Sequence, residues 1–213
     1  MKIIQPSFSI EGEVDGGKIL QHIERAGRTC YKSENLITTD SAKRFVEAII
    51  KRGHESVLEH ASISVRVICD RGVSHEIVRH RIASYSQEST RYCCYNKEKF
   101  GGQITFIKPC FWEWTTSNPT PQYARWLALM KEVEKAYLEL IELGASAQEA
   151  RAVLPNSLKT ELVMTMNLRE WRHFFRLRTA KAAHPQMREI ACPMLDEFKK
   201  QIPIVFDDIS YDR

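Results

Sequence analysis

The sequence has no G-x-G-x-x-G fingerprint after a strand and no G-x-x-x-x-G-K-[ST] loop, so both standard glycine-rich phosphate cradles are missing. It also has no H-E-x-x-H. His54-Glu55 and Glu59-His60 resemble metal ligands in type, but their spacing keeps the two histidines off a common helix face. No apolar run approaches the roughly 20 residues needed to cross a bilayer. The opening Met1-Lys2-Ile3-Ile4-Gln5-Pro6 breaks its hydrophobic run at once, unlike a signal peptide. No cysteine pair has C-x-x-C spacing. Cys30, Cys69, Cys93, Cys94, Cys110 and Cys192 are expected as free thiols, most of them packed as small hydrophobes, in a reducing cytosol. The expectation is a cytoplasmic protein with neither a membrane nor a metal among its partners.

What is present is ordinary in bulk and uneven in detail. An apolar fraction of 43% and a charged fraction of 27% over 213 residues suit a globular chain able to bury a core. The net charge of +4 is too mild for a protein that coats DNA. Basic residues nevertheless concentrate late in the chain. Arg151, Lys159, Arg169, Arg172, Arg176, Arg178 and Lys181 are set against only Glu161 and Glu170. Positive charge gathered in a few places suits a compact anion, such as a nucleotide, better than a polymer.

Periodicity supplies the elements. Ala42, Phe45, Val46, Ile49 and Ile50 form one stripe of a helix over Thr39–Gly53. Ser62 to Val67 alternates as a half-buried strand does. A shorter helix is expected from Val73 to about Ala83, carrying Arg79-His80-Arg81. Strands are expected at Tyr92–Tyr95 and Ile104–Ile107 around a Gly101-Gly102 turn, then a loop from Pro109 to Pro121. A long helix follows, with Tyr123, Trp126, Leu127, Met130, Val133, Tyr137, Leu140 and Ile141 on its apolar side and Gly144 at its end. Ser146 and Glu149 form a capping-box pattern. Thr160, Leu162, Met164 and Met166 share one strand face, Asn167 reads as an N-cap, and Met187, Ile190, Ala191, Met194, Leu195 and Phe198 mark a last helix. Helices and strands mix without strict β-α-β alternation, so the expected architecture is a single α+β domain over 1–213, with a central sheet flanked by helices.

The densest polar cluster is Arg79-His80-Arg81-Ile82-Ala83-Ser84-Tyr85-Ser86-Gln87-Glu88-Ser89-Thr90-Arg91. Arginine offers a planar fork of donors matched to phosphate oxygens and stays charged at any working pH. Serine hydroxyls can complete a phosphate's hydrogen-bond shell. A solvated helix face followed by a polar loop would account for the basic residues, but not for hydroxyls at fixed offsets from them.

The pattern R-H-R-x-x-S-x-x-x-x-S-x-R, matched by Arg79, His80, Arg81, Ser84, Ser89 and Arg91, resembles the signature of flavin-dependent thymidylate synthases. Gly53 to His60 resembles that family's G-H-x-[ST]-x-x-E-H block. Arg151 to Pro155 and Asn167 to Arg178 resemble its A-R-x-x-L-P and N-x-R-x-W-x-x-F-x-x-x-R segments. The resemblance covers 53–91 and 151–178 well and says little of the ends or of 92–149. It implies reductive methylation of dUMP to dTMP, with methylenetetrahydrofolate as one-carbon donor, FAD as hydride carrier and NADPH as reductant. It also implies a homotetramer with flavin sites and interfaces shared between subunits, which accords with the missing glycine fingerprint.

By the same resemblance, Ser56, Arg79, His80, Arg81, Gln87, Asn167, Arg169 and His173 contact FAD. Arg79, Gln87, Ser89, Thr90, Arg91, Arg151 and Arg178 hold dUMP, and Arg178 is the activator. The chemistry behind that last role is general. Uracil C5 becomes nucleophilic as negative charge builds on the imide, and a fixed guanidinium beside that edge stabilises the charge as it develops. Arginine cannot itself be the base, because its pKa exceeds roughly 12. Where many relatives carry glutamine, this chain has Glu76, which accepts hydrogen bonds but donates none when ionised. Ser89 has no adjacent histidine with an orienting acid and suits a phosphate ligand better than a nucleophile. His54 is a candidate neighbour of the folate.

Two other classes compete. A basic nucleotide- or nucleic-acid-binding module without catalysis would use Trp112, Trp114, Trp126 and Trp171. Against it, Trp126 and Trp171 fall on apolar helix stripes, and nucleic acid is not an expected partner. A cysteine-dependent synthase would use Cys110, for which Pro109-Cys110 is a bare dipeptide.

Overall fold

The structure is a computed structural model and describes residues 1–98, 101–112 and 119–212. Trp114, with the middle of the loop expected over 109–121, lies outside the described residues. The chain divides into two compact units. The first comprises Met1–Ser7, Val67–Arg79 and Ser86–Leu162; the second comprises Phe8–Arg66, His80–Tyr85 and Val163–Arg213.

Strands are β1 (Lys2–Ile4), β2 (Ser7–Glu11), β3 (Ser62–Asp70), β4 (Ala83–Gln87), β5 (Thr105–Ile107) and β6 (Lys159–Asn167). Helices are α1 (Gly16–Thr29), α2 (Ser41–Lys51), α3 (Arg71–Ile77), α4 (Pro121–Glu142), α5 (Ala147–Ala150), α6 (Leu168–Arg178) and α7 (Pro185–Gln201). A four-stranded sheet has the order β2-β3-β6-β4, and β1 pairs in parallel with β5, Lys2 opposite Thr105. The α+β class is as expected.

In the first unit, α4 starts at Pro121 with Thr120 as its cap and packs Tyr123, Trp126, Met130 and Tyr137 onto Tyr95, Ile104, Phe106 and Leu158. Trp126 keeps its indole N–H satisfied by Ser157 Oγ at 3.0 Å. Gly144, at φ 95°, gives the left-handed stop that a residue with a Cβ would resist. In the second unit, α2 presents Ala42, Val46 and Ile49 inward and stops before Gly53, at φ 71°. Its counterpart α6 is capped by Asn167, whose side chain accepts from the Glu170 N–H at 2.9 Å. That helix drives Trp171 and Phe175 against Phe198 of α7, and Phe175 against Phe206 as well, while Phe174 packs on Trp171 and Phe175. The Trp171 indole donates to Ile63 O at 3.1 Å. Both β3 and β6 alternate in burial as their sequences predict.

Three expectations change. The helix placed from Val73 to about Ala83 ends at Ile77, with Val78 as its cap, and Ala83 already opens β4. Ladder pairing beside β6 outweighs the helical reading of a polar stretch that carries no breaker of its own. Tyr92–Tyr95 is not a strand, because the N–H groups of Tyr92 and Cys93 both turn back to Ser89 O, at 3.1 and 3.0 Å. Of the six cysteines, all free, only Cys69 is buried, and Cys30 and Cys110 are exposed. No helix among the described residues is long and apolar enough to cross a membrane.

Candidate active site

In the second unit, the turn after α3 delivers His80 to the side of α6. His80 is buried, at 4% exposure. Arg178, the last residue of α6, donates from Nε to His80 Nε2 at 3.0 Å, and His80 Nδ1 lies 3.2 Å from Glu170 Oε1. A guanidinium has no lone pair to offer, so Nε2 must accept and the ring's proton sits on Nδ1, facing the carboxylate. Burial, the Arg178 charge and His173 together push the imidazole down to about 4, which keeps it neutral. Burial raises the Glu170 carboxyl above its usual range. Tyr85 donates its hydroxyl to His80 O at 3.1 Å, and burial with the nearby Glu170 charge lifts that phenol to about 12.

Beside Glu170 opens a cleft of about 450 Å³, lined by Glu55, Glu59, Arg81, Ile82, Asn167, Arg169, Glu170, His173 and Arg176. The structure therefore gathers Arg81, Asn167, Arg169 and His173 around one space. Ser56 is exposed on the adjoining short helical turn, Glu55–His60. The cations here differ in kind. Arg169 is held by Glu59 at 2.6 Å, and Arg176 by Glu55 and Asp208, both at 3.2 Å. Arg81 is exposed and makes no ion pair among the described residues. His80, Glu170 and His173 bring ligand atoms within 4.8 Å of one another, but both His80 nitrogens are already engaged. Glu55 and Glu59, the residues resembling metal ligands, are spent on arginines.

The first unit carries the other part of the signature. Gln87 donates from Nε2 to Ser74 Oγ at 3.0 Å and to Thr160 Oγ1 at 3.1 Å, which leaves its carbonyl oxygen as the acceptor it can offer. Ser89 Oγ accepts from the Arg91 N–H at 3.3 Å, and Arg91 is exposed, lying 5.4 Å from the Tyr92 ring. Arg151 reaches Thr90 Oγ1 at 3.4 Å. Both line a cleft of about 280 Å³ with Arg71, His75 and Asn156. Arg79 is exposed at the end of this unit and lines neither cleft. Its N–H reaches Glu76 O at 3.3 Å.

The family model described as "Thymidylate synthase complementing protein" matches residues 18–204. The chain belongs to that family. Among relatives, the flavin-dependent thymidylate synthase of Pyrococcus abyssi is 39% identical over 166 residues, 78% of this chain and 66% of that protein. The match thus spans just under two thirds of its length. The flavin-dependent thymidylate synthase of Geobacter sulfurreducens is 34% identical over 204 residues, 89% of this chain and 84% of that one. Among solved structures, a UMP/dUMP methylase, PolB, from Streptomyces cacaoi bound with 5-Br dUMP superposes with a TM-score of 0.77 at 22% identity, covering 97% of this chain and 96% of that one. At that identity the likeness is one of fold.

The family match takes in residues of both units and every candidate site residue from Ser56 to Arg178. Nothing supports the nucleic-acid-binding alternative, and Trp126 and Trp171 are buried in the core rather than offered for stacking. Reading the sequence missed Glu170 and Glu88. The signal for Glu170 was present as the residue three after the Asn167 cap, but its side chain turns to His80 instead of closing a capping box. Glu88, immediately before Ser89, is pinned by Lys159 at 2.7 Å and by the Tyr95 hydroxyl at 2.9 Å.

Proposed function

We propose that this chain, acting as one family domain over 1–213, catalyses the reductive methylation of dUMP to dTMP. Methylenetetrahydrofolate is the one-carbon donor, FAD the flavin and NADPH its reductant. The observation that carries the reading is a division among the arginines. Arg79, Arg81 and Arg91 of the signature are exposed and make no ion pair among the described residues, whereas Arg169, Arg172 and Arg176 are tied to carboxylates. Guanidinium forks left without acids are suited to a ligand's phosphates.

The donor set fits a flavin dinucleotide. Arg81 makes no ion pair among the described residues, His173 is an exposed ring, and Asn167 caps α6 through its carbonyl and so retains its amide donors. Arg79, Arg81, Asn167, His173 and Ser56 would hold it. His80 has both nitrogens engaged and would meet it only through the ring, while Arg169 would have to share itself with Glu59. When bound, the flavin supplies the hydride that completes the methyl group. Arg91, Ser89, Thr90 and Arg151 would bind the dUMP phosphate, and the Gln87 carbonyl oxygen would accept a hydrogen bond from the nucleoside. Arg178 would lie against the imide. This chemistry needs no enzyme thiolate, and burial holds the Cys69 thiol well above its usual range.

Pure protein should show flavin absorbance, or acquire it with added FAD, and lose it on anaerobic addition of NADPH. Colourless protein that does not quench FAD fluorescence would sink the proposal. The family resemblance also supports a homotetramer, and Ile82 at 86% and Leu177 at 48% exposure leave apolar surface for it. Light scattering should give a multiple of 24.7 kDa; active, flavin-loaded protein with the mass of one chain would refute it. The free thiols fit a cytoplasmic location.

A further inference from the structure

We infer that Glu170 is a positioning residue: it fixes the tautomer of His80 and, through it, the orientation of Arg178. The chain of bonds admits one proton arrangement. Arg178 Nε can only donate, so at 3.0 Å it requires a lone pair on His80 Nε2. The ring proton is therefore on Nδ1, and the acceptor within reach is Glu170 Oε1 at 3.2 Å. The other tautomer would set N–H against N–H at Arg178, and no water can mediate freely around a ring that is 4% exposed. The environment enforces the geometry further. Phe174 packs edge-on at 4.9 Å between ring centroids, His173 lies at 5.5 Å, and the Tyr85 hydroxyl holds the His80 carbonyl. Glu170 and Arg178 stand on the same helix, so one rigid element places both ends of the relay.

The effect on Arg178 is directional. Its Nε bond to His80 sets the rotation of the guanidinium plane, and a planar group can lie along an imide edge in only one such rotation. A carboxylate behind an imidazole fixes tautomer and ring angle in the same way at metal sites. The activity consequence rests on the reading of Arg178 as activator; the tautomer consequence does not.

The test compares Glu170→Leu, which removes the acceptor and fills its space, with Glu170→Gln, whose amide oxygen can still accept from Nδ1–H. In histidine-¹⁵N-labelled protein, long-range proton–nitrogen correlations report which ring nitrogen carries hydrogen, with the His80 signal assigned by its loss in His80→Asn. Wild type and Glu170→Gln should show Nδ1–H, and Glu170→Leu should shift towards Nε2–H. Turnover to dTMP should fall by about 10² in Glu170→Leu, the scale of a displaced catalytic group. Because Glu170 lines the cleft proposed for the flavin and Arg178 is proposed to hold dUMP, the fall is read as kcat per bound flavin at saturating dUMP, and Glu170→Gln should restore most of the rate. A wild-type tautomer in Glu170→Leu would overturn the inference, as would equal loss in both variants. So would a switched tautomer with full turnover, where Arg178→Lys is impaired. If Arg178→Lys is itself silent, the activator reading falls, and a switched tautomer still supports Glu170 as the group that sets His80.

Discussion

With Arg178 replaced by lysine, dTMP formation is expected to fall by about 10²–10³, the scale of losing one preorganised donor to a developing oxyanion, roughly 3–4 kcal/mol. NADPH-driven bleaching of the flavin should stay near wild type, because it needs no activated pyrimidine. The expectation comes from how α6 presents this side chain. Trp171, Phe174 and Phe175 anchor one face of the helix in the aromatic core, and Arg178 falls on the same face, at its last residue. The backbone is thereby fixed, and the Nε bond to neutral His80 fixes the side chain. Lysine keeps one charge but offers a single nitrogen on a flexible stem, which cannot hold His80 and also lie flat along an imide. The measurement is paired: anaerobic bleaching by NADPH, and dTMP yield in the full reaction. Loss of both together with lost FAD would make Arg178 a flavin-binding or structural residue. Loss of neither would make it a bystander.

The sequence showed most of what local periodicity can show. It placed α2, α4, α7, β3 and β6 and the Asn167 cap, because each buries one regular face or satisfies one local donor. It placed β5, expected over Ile104–Ile107, but did not show β1, which pairs with Thr105–Ile107 far along the chain and has no local reason to exist. It also passed over α1. There Leu20 and Ile23 begin a stripe that continues through Glu24 and Gly27, and Glu24 is buried because Ser41 at 2.8 Å and Arg28 at 2.8 Å satisfy it. The signature residues were legible as residues; their partners were not. That Arg169 is occupied by Glu59, while Arg81 is not, depends on contacts between positions far apart in sequence. Glu88 and Glu170 sit at unconstrained positions of the motifs and acquire a role only from what the fold sets beside them.

Arg172→Met should destabilise the protein by about 3 kcal/mol, near the lower end for breaking a buried ion pair. The Arg172 side chain is 1% exposed. It grips Asp208 with both Nη atoms, at 2.6 and 2.7 Å, reaches Glu55 Oε1 from Nη2 at 3.0 Å and from Nε at 3.2 Å, and donates to Val205 O. It thus ties α6 to the Glu55–His60 turn and to the chain after α7. Methionine fills similar space but leaves these acceptors to Arg176 alone, which still reaches Glu55 and Asp208. That surviving contact, and the 45% exposure of Asp208, keep the cost near the lower end. For a chain of this size the melting temperature should drop by about 6–12 °C. The pH dependence separates charge from packing. Burial raises the Glu55 and Asp208 carboxyls, but the hydrogen bonds and charge of Arg172, then Arg176, outweigh it and hold both below their usual values. Groups with depressed folded pKa values contribute stability that is complete above the unfolded value of about 4 and is lost as pH falls through the folded one. The gap between wild type and Arg172→Met should therefore be full at neutral pH and narrow in acid, below about pH 4, as read by urea unfolding across the series. A gap that stays constant down to the acid limit would show that Arg172 stabilises by packing its stem and not by its charge.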